Sequence, residues 1–373
     1  MRVGFNARLL YSPETRGWNR YSINLLAELA SLGVELFLYS DRVLHQNHLA
    51  RLPEGSYRVQ VSPPMRYLFW EQRWLPQQCA SDQIELLHTP FNFGLPWFSA
   101  CPRVLTLHDA IDQVYSGRQK NSLRSLPAQL SHWMARTRAH KIITVSAHAK
   151  RDLMNHLNIP PERIAVVYEA ADPNFHRAIS NDEREEIRRQ LQLLRPYILY
   201  VGGWERRKNI PFLMRSFAAA DLEGVELVLA GGHEEQRQEL ITLAQNLGVI
   251  DRVRFLGWVE DSSLPALYAE ASCFVYPSQY EGFGLQLCEA MAVGCPTLAA
   301  SATALPEVLG HGGETFPLDD PSFLSSLLRQ LTSDHNFRNQ LSQRARERSN
   351  DFSWHQTALL TIDVYRGVLQ LNR

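Results

Sequence analysis

Two rhythms of apolar residues alternate along this chain. Short apolar runs read as strands at residues 3–5, 34–39, 57–61, 84–87, 104–107, 142–145 and 164–167. A second series begins at 198–201 and continues at 225–229, 253–256, 273–276 and 297–299. Between the runs, apolar positions recur at helical spacing. Ile23, Leu26, Leu29 and Ala30 share one helix face, which Gly33 stops. Strands alternating with helices imply parallel sheets covered on both faces.

The pattern restarts once, which divides the chain. Residues 1–175 are expected to form one Rossmann-like domain and 176–353 a second. The tail 354–373 is expected to be a helix packed back on the first. Residues 182–189, Asp-Glu-Arg-Glu-Glu-Ile-Arg-Arg, read as a charged helical connector with a solvated face, ended by Pro196. A length of 373 residues suits two domains.

Composition narrows the function classes. A net charge of −1 argues against a general nucleic-acid binder. Cys79, Cys101, Cys273, Cys288 and Cys295 are scattered, with no Cys-x-x-Cys pair, and read as buried free thiols in a reducing compartment. No apolar run reaches the roughly 20 residues that span a bilayer. The first residues read as a strand and not as a secretory signal. The expected location is the cytoplasm, at most on the inner face of a membrane.

Chemistry concentrates after the strand 273–276. There Tyr280-Glu281-Gly282-Phe283-Gly284-Leu285 leads into a helix carrying Glu289. Gly282 and Gly284 let the backbone approach a ligand. The first helical amides favour an anion. About six helical residues would set Glu281 and Glu289 roughly 9 Å apart along the axis, near the reach of a diphosphate joining two sugar rings. Carboxylates on sugar hydroxyls at either side avoid repelling the phosphates. The alternative is a chance pair, one Glu acting as a helix cap.

This segment resembles the Glu-x7-Glu signature of the retaining glycosyltransferases of family 4, which have the GT-B fold. The resemblance implies two Rossmann-like domains facing each other across a cleft. The first would bind the acceptor and the second the nucleotide sugar. Glu281 and the amides of Gly282, Phe283, Gly284 and Leu285 would hold the donor sugar and phosphates, and Glu289 the ribose. After strand 198–201, Gly202-Gly203-Trp204-Glu205-Arg206-Arg207-Lys208-Asn209 resembles the family's diphosphate turn, with Lys208 on the family Lys. Many members carry Arg where this chain has Gly203, and Arg207 would supply that charge. His108, at the end of strand 104–107, takes the place of the family His beside the donor sugar. Alone, a basic run reads as surface and a lone His as structural.

Weaker matches complete the pattern. Thr15-Arg16-Gly17-Trp18-Asn19-Arg20-Tyr21 resembles the glycine loop after the first strand, with Asn19 in place of a second Gly. Glu71, His88 and Asn92 are acceptor-side candidates for which core or turn roles are favoured. Phe255 and Trp258 line either a base pocket or a core strand and its turn. Ala230-Gly231-Gly232 reads as a plain turn, and Glu307 as a site residue or a helix-start carboxylate. Arg118, Lys120, Arg124, Arg136, Arg138 and Lys141 with Trp133 read as a solvated face rather than a surface for anionic lipid.

The implied reaction moves a sugar from a nucleotide diphosphate to an acceptor hydroxyl with retention. The acceptor would be a sugar, a glycan or a lipid-linked glycan in polysaccharide or glycolipid synthesis. The chain has no Asp-x-Asp, so no cofactor and no divalent metal are expected. A branch resemblance to mannosyl- and rhamnosyltransferases favours GDP-mannose; UDP-glucose, UDP-N-acetylglucosamine and dTDP-rhamnose stay open. The rival readings are a GT-B nucleotide-sugar epimerase and a catalytically silent nucleotide-sugar binder. A dehydrogenase is disfavoured, because residues 4–8 are not a Gly-x-Gly-x-x-Gly turn.

Overall fold

The computed structural model describes residues 1–13, 17–115, 126–232 and 234–372. The chain divides into two units. The first comprises Met1–Glu169 together with Ser353–Arg373, and the second Ala170–Phe352.

The first unit holds seven parallel strands: β1 (Arg2–Asn6), β2 (Glu35–Ser40), β3 (Tyr57–Val61), β4 (Leu86–Thr89), β5 (Arg103–Thr106), β6 (Lys141–Thr144) and β7 (Ile164–Val166). Their order in the sheet is β3-β2-β1-β4-β5-β6-β7. The central strands are buried along almost their whole length, as a sheet covered on both faces requires. Helix Gly17–Ser31 buries Ile23, Leu26, Leu29 and Ala30, the face its spacing predicts. The C-terminal helix Trp354–Leu371 packs on it, with the Tyr21 and Trp354 rings 5.9 Å apart.

The second unit holds six parallel strands: β8 (Tyr197–Val201), β9 (Glu226–Ala230), β10 (Val253–Gly257), β11 (Cys273–Tyr276), β12 (Thr297–Ala300) and β13 (Glu314–Phe316), in the order β10-β9-β8-β11-β12-β13. Strand β13 has no counterpart in the sequence reading. It is three residues long, and only Phe316 is buried. Its pairing with β12 defines it, and no run of its own does.

The connector is a helix, Asn181–Gln190, started by a capping box in which Ser180 and Glu183 satisfy each other's amides. Its face is not simply solvated. Ile187 is buried, and Arg184 and Arg188 both reach Glu270, at 3.2 and 3.4 Å. All five cysteines are buried and free.

Both strand orders reverse direction once, between β1 and β4 in the first unit and between β8 and β11 in the second. At such a reversal the connections leave toward opposite faces, and the strand ends open a crevice where ligands of open α/β sheets sit.

Candidate functional site

The crevice of the second unit is charged. After β8 the chain turns through Gly202 and Gly203 into a tight turn, Arg206–Lys208, closed by the Lys208 amide on the Glu205 carbonyl at 2.8 Å. This turn delivers Lys208 to the end of β11. Its ammonium donates to Glu281 Oε1 at 2.6 Å and to the Tyr276 hydroxyl at 3.0 Å. Arg207 donates to the same Oε1 at 3.0 Å and to the Tyr280 carbonyl at 3.2 Å. Two cations thus share one carboxylate, and the trio keeps one net positive charge.

Burial pulls the Lys208 pKa below its ordinary value, against the charge of Glu281. Burial alone would raise that of Glu281, but Lys208 and Arg207 outweigh it and hold the carboxyl below its usual range. The cluster is ion-paired and partly desolvated, where each charge acts strongly. A phosphate oxygen arriving here would compete with Glu281 for the same donors. Lys208 is held from a second side, because the Tyr276 hydroxyl that receives it donates in turn to Gln286 at 2.9 Å.

The helix after Glu281 runs Leu285–Ala292, shorter than the spacing argument assumed. Only four residue steps, roughly 6 Å of rise, separate Leu285 from Glu289. Glu281 stands outside the helix, its amide bonded to Thr303 Oγ1 at 3.0 Å. Gly284 caps the helix with φ 106°, which a side chain would strain, and as a glycine it offers the first turn no side-chain cap. Phe283 turns inward against Phe352, 5.9 Å between rings, so only its backbone can serve a ligand. Glu289 is 1% exposed and accepts from the Tyr268 hydroxyl at 3.1 Å. The structure therefore gives Glu289 a buried tyrosine partner that the spacing did not reveal.

Two glycine turns form the rim beside this cluster. The Gly202 amide donates to Ala230, and the Gly231 amide to Gly257 at 2.6 Å. Gly232 is more than a plain turn: a Cβ there would lie 2.0 Å from the Trp204 ring. Trp204 in turn meets Phe255 edge-on at 5.8 Å, so Phe255 is a packing residue, while Trp258 stands 56% exposed. At Gly203 the space a side chain would take is filled by the Glu205 carboxylate. Glu307 lies inside the short helix Leu305–Leu309.

The crevice of the first unit is aromatic. Its loop 90–94 is tied down at Gly94, whose carbonyl accepts from Asn6 Nδ2 at 3.1 Å and Thr89 Oγ1 at 3.2 Å. His108 lies beneath it, 7% exposed, with Tyr21 edge-on at 4.8 Å and Trp18 at 6.3 Å. Its Nδ1 meets Glu169 Oε1 at 2.9 Å, and its Nε2 meets the Pro90 carbonyl at 2.9 Å. In this structure both ring nitrogens face oxygens of the first unit.

The remaining sequence candidates sit as follows. Gly17 opens its helix with open space where a side chain would go, and Thr15 and Arg16 lie outside the described residues. Asn19 is helical and buried, so a second glycine's backbone freedom is not needed there. His88 is a core residue between Tyr365 and Thr106, at 2.6 and 2.8 Å, and burial lowers its pKa to about 3. Glu71 is buried beside Gln72, and Asn92 Oδ1 accepts from the His108 amide at 2.9 Å. Arg118, Lys120 and Arg124 lie outside the described residues. Sequence reasoning missed Tyr276, Gln286, Thr303, Tyr268 and Glu169. Their partners lie 10 to 68 residues away in the chain, and only strand-end position marked any of them.

Comparison with known proteins agrees with this layout. Residues 15–175 match the family described as Glycosyltransferase Family 4, and residues 183–348 that described as Glycosyl transferases group 1. The O-antigen chain mannosyltransferase B of Escherichia coli is 31% identical over 231 residues, 61% of each chain. The serotype-specific mannosyltransferase WbdA of Escherichia coli is 29% identical over 285 residues, 75% of this chain. The aligned part is thus 61% of the first relative's length and 34% of the second's. Among solved structures, Anabaena HepE, crystallised with UDP and glucose, is 18% identical with a TM-score of 0.78, covering 98% of this chain and 100% of its own. That identity speaks for the fold alone. With both halves matched, the chain belongs to the glycosyltransferases built from these two domains, and its fold is GT-B.

Proposed function

We propose that the protein transfers a sugar from a nucleotide diphosphate to an acceptor hydroxyl, with retention at the anomeric carbon. The observation that carries this reading is the Arg207–Lys208–Glu281 trio at the β8/β11 reversal, beside a helix start whose cap residue is Gly284. In the proposed step, the bond from the anomeric carbon to the β-phosphate oxygen breaks and its electron pair stays on the phosphate. Arg207, Lys208 and the amides of residues 282–285 meet that charge as it grows. The acceptor oxygen bonds to the anomeric carbon on the face the phosphate leaves. Its proton passes to the departing phosphate oxygen, so no protein nucleophile is needed. Glu281 orients the donor sugar and Glu289 the ribose. The same cations do the work a divalent metal does elsewhere, and EDTA is expected to leave turnover unchanged.

GDP-mannose is the proposed donor, in line with the names of the two mannosyltransferase relatives, and a glycan or lipid-linked glycan the proposed acceptor. The test is product analysis after incubation with GDP-mannose, UDP-glucose, UDP-N-acetylglucosamine or dTDP-rhamnose, with mannosides as acceptors. A new glycoside that keeps the donor's anomeric configuration, with release of nucleoside diphosphate, supports the reading. Conversion of the donor without an acceptor supports the epimerase, and no turnover with retained binding the silent binder.

We also propose a cytoplasmic protein that touches an anionic membrane surface. Among the described residues no helix is long and apolar enough to cross a membrane. Phe98 is 72% exposed, beside Trp97 and Trp133, whose rings lie 4.6 Å apart with the Arg138 guanidinium over Trp97. Aromatic rings with arginine suit a headgroup layer. Co-sedimentation with phosphatidylglycerol vesicles but not with phosphatidylcholine vesicles is the expected result. Equal recovery with both contradicts it.

A further inference from the structure

Among the described residues other than glycine, Gln83, Asn158, Gln192, Asn209, Asp221 and Thr303 have a left-handed backbone. All but the last are polar, unbranched at Cβ, and close a helix or the Arg206–Lys208 turn, where this conformation is common. Thr303 differs on every count. It is β-branched, its φ is 52°, and it precedes the helix Leu305–Leu309 instead of ending one. The Leu305 amide donates across it to the Ala302 carbonyl at 3.1 Å, and Ala304 follows at φ −81° and ψ −12°. A four-residue turn of this kind usually carries glycine where Thr303 stands. A β-branched side chain there is strained, and persists only where the surrounding structure holds it.

The turn is held from both ends. Before it, the Ser301 amide donates to the Phe316 carbonyl at 2.8 Å. After it, Arg348 donates to the carbonyls of Glu307 and Val308 at 2.7 and 3.0 Å. Between these anchors it meets the Glu281 loop at two points. Thr303 Oγ1 accepts from the Glu281 amide at 3.0 Å. Leu305 fills the space beside Gly284, 2.9 Å from where a Cβ would lie. Glycine, the residue this backbone favours, has no hydroxyl with which to make the first contact.

We propose that Thr303 is a positioning residue for the donor sugar: its strained turn holds a hydroxyl against the Glu281 amide and so fixes the backbone from which Glu281 reaches the sugar. The carboxylate itself is held by Lys208 and Arg207, at 2.6 and 3.0 Å. A diphosphate arriving in the crevice competes for both cations. Once they turn to phosphate, the Glu281 side chain loses these two contacts and the Thr303 contact at its amide remains. The sugar role rests on the donor-site reading; the latch between Thr303 and Glu281 stands on the geometry.

Three variants test it. Thr303→Val keeps the branching and removes the hydroxyl. Thr303→Ser keeps the hydroxyl. Thr303→Gly removes the hydroxyl and the strain together. With the donor that the unaltered protein uses, kcat should fall about tenfold or more in Val and Gly and recover most of its value in Ser. Affinity for the bare nucleoside diphosphate should stay within about twofold in all three, since Lys208 and Arg207 are untouched. Thr303→Gly should melt no lower than the unaltered protein while losing turnover, a combination that damage to the fold does not produce. Turnover in Gly within about twofold of the unaltered protein would overturn the role, as would a matching loss of nucleoside diphosphate affinity. If Val does not fold, Gly and Ser still decide. Hydrogen exchange of the Glu281 amide, followed by NMR, needs no activity. It should be about tenfold or more faster in Gly than in the unaltered protein and in Ser. Equal exchange in all of them would overturn the latch. A protein that transfers no sugar would remove the donor reading and the sugar role with it, and the exchange rates would still decide the latch.

Discussion

The two reversal crevices are built from the same strand topology and filled with opposite chemistry. In the second unit the strand ends carry Arg207, Lys208 and Glu281, ion-paired and held from several sides. In the first unit the crevice is lined by Trp18 and Tyr21 of the helix and by Phe91 and Phe93 of the loop, around the buried His108–Glu169 contact. The difference lies in where charge is spare. The second unit's trio has one positive charge in excess and a glycine-capped helix start beside it. The first unit's pair is closed on itself, with both ring nitrogens of His108 already facing an acceptor. A phosphate has a reason to enter the one crevice and none to enter the other.

The largest effect that would break this contrast lies in the trio. Lys208→Ala should lower turnover about 10²–10³-fold, the loss expected when one preorganised donor to a developing oxyanion is removed. Glu281→Ala should be as damaging to turnover and also unfold more easily. It leaves Lys208 and Arg207 side by side without their carboxylate, at a cost of about 3 kcal/mol. Lys208→Ala leaves Glu281 still paired with Arg207 and should cost clearly less in a urea titration. Equal stability losses would contradict the shared-carboxylate arrangement. Bound nucleoside diphosphate should recover more stability in Glu281→Ala than in Lys208→Ala, because a phosphate can replace the missing carboxylate.

Glycine substitutions come next. Gly232→Ala forces a Cβ into the Trp204 ring at φ 75° and should destabilise by about 1–3 kcal/mol. Gly17→Ala meets nothing within 4 Å among the described residues and sits in a helix, so stability should hold or rise by up to about 1 kcal/mol. Reduced donor use in Gly17→Ala without any loss of melting temperature would show that a ligand approaches the first unit's helix start as well.

The pH dependence separates the two units. The folded His108 pKa lies above its unfolded value of about 6.5. Its stabilisation is complete below that value and is lost as pH rises through the folded pKa. Glu281 runs the other way: its folded pKa is depressed, so its contribution is present above the unfolded carboxylate value and fades as the pH falls through the folded pKa. Urea midpoints across pH should therefore show an alkaline loss that vanishes in Glu169→Gln. The smallest effect is Tyr268→Phe, which removes one hydrogen bond to Glu289 and should cost about 1 kcal/mol.

What was legible in the sequence is what local pattern can carry. Apolar runs marked twelve of the thirteen strands; β13, three residues with one buried side chain, has no run of its own. The Gly-rich turn with Lys208 and the Glu281 segment were legible because glycine and charge at strand ends are unusual and close together in the chain. The rest was hidden by distance. Glu169 meets His108 across 61 residues and Lys208 meets Tyr276 across 68. A tyrosine inside an apolar strand looks like packing until its hydroxyl is seen to face a lysine. The helix start also moved to Leu285, because Gly284 adopts a left-handed conformation that ends the loop there. Spacing alone could not fix that boundary.

The central claim is that the trio at β8/β11 receives a diphosphate. Calorimetric titration of GDP and UDP into the unaltered protein and into Lys208→Ala tests it most directly. One of the two nucleotides should bind the unaltered protein with or without EDTA, and bind the variant at least tenfold more weakly. Equal affinity for both proteins, or no binding of either nucleotide, would contradict it.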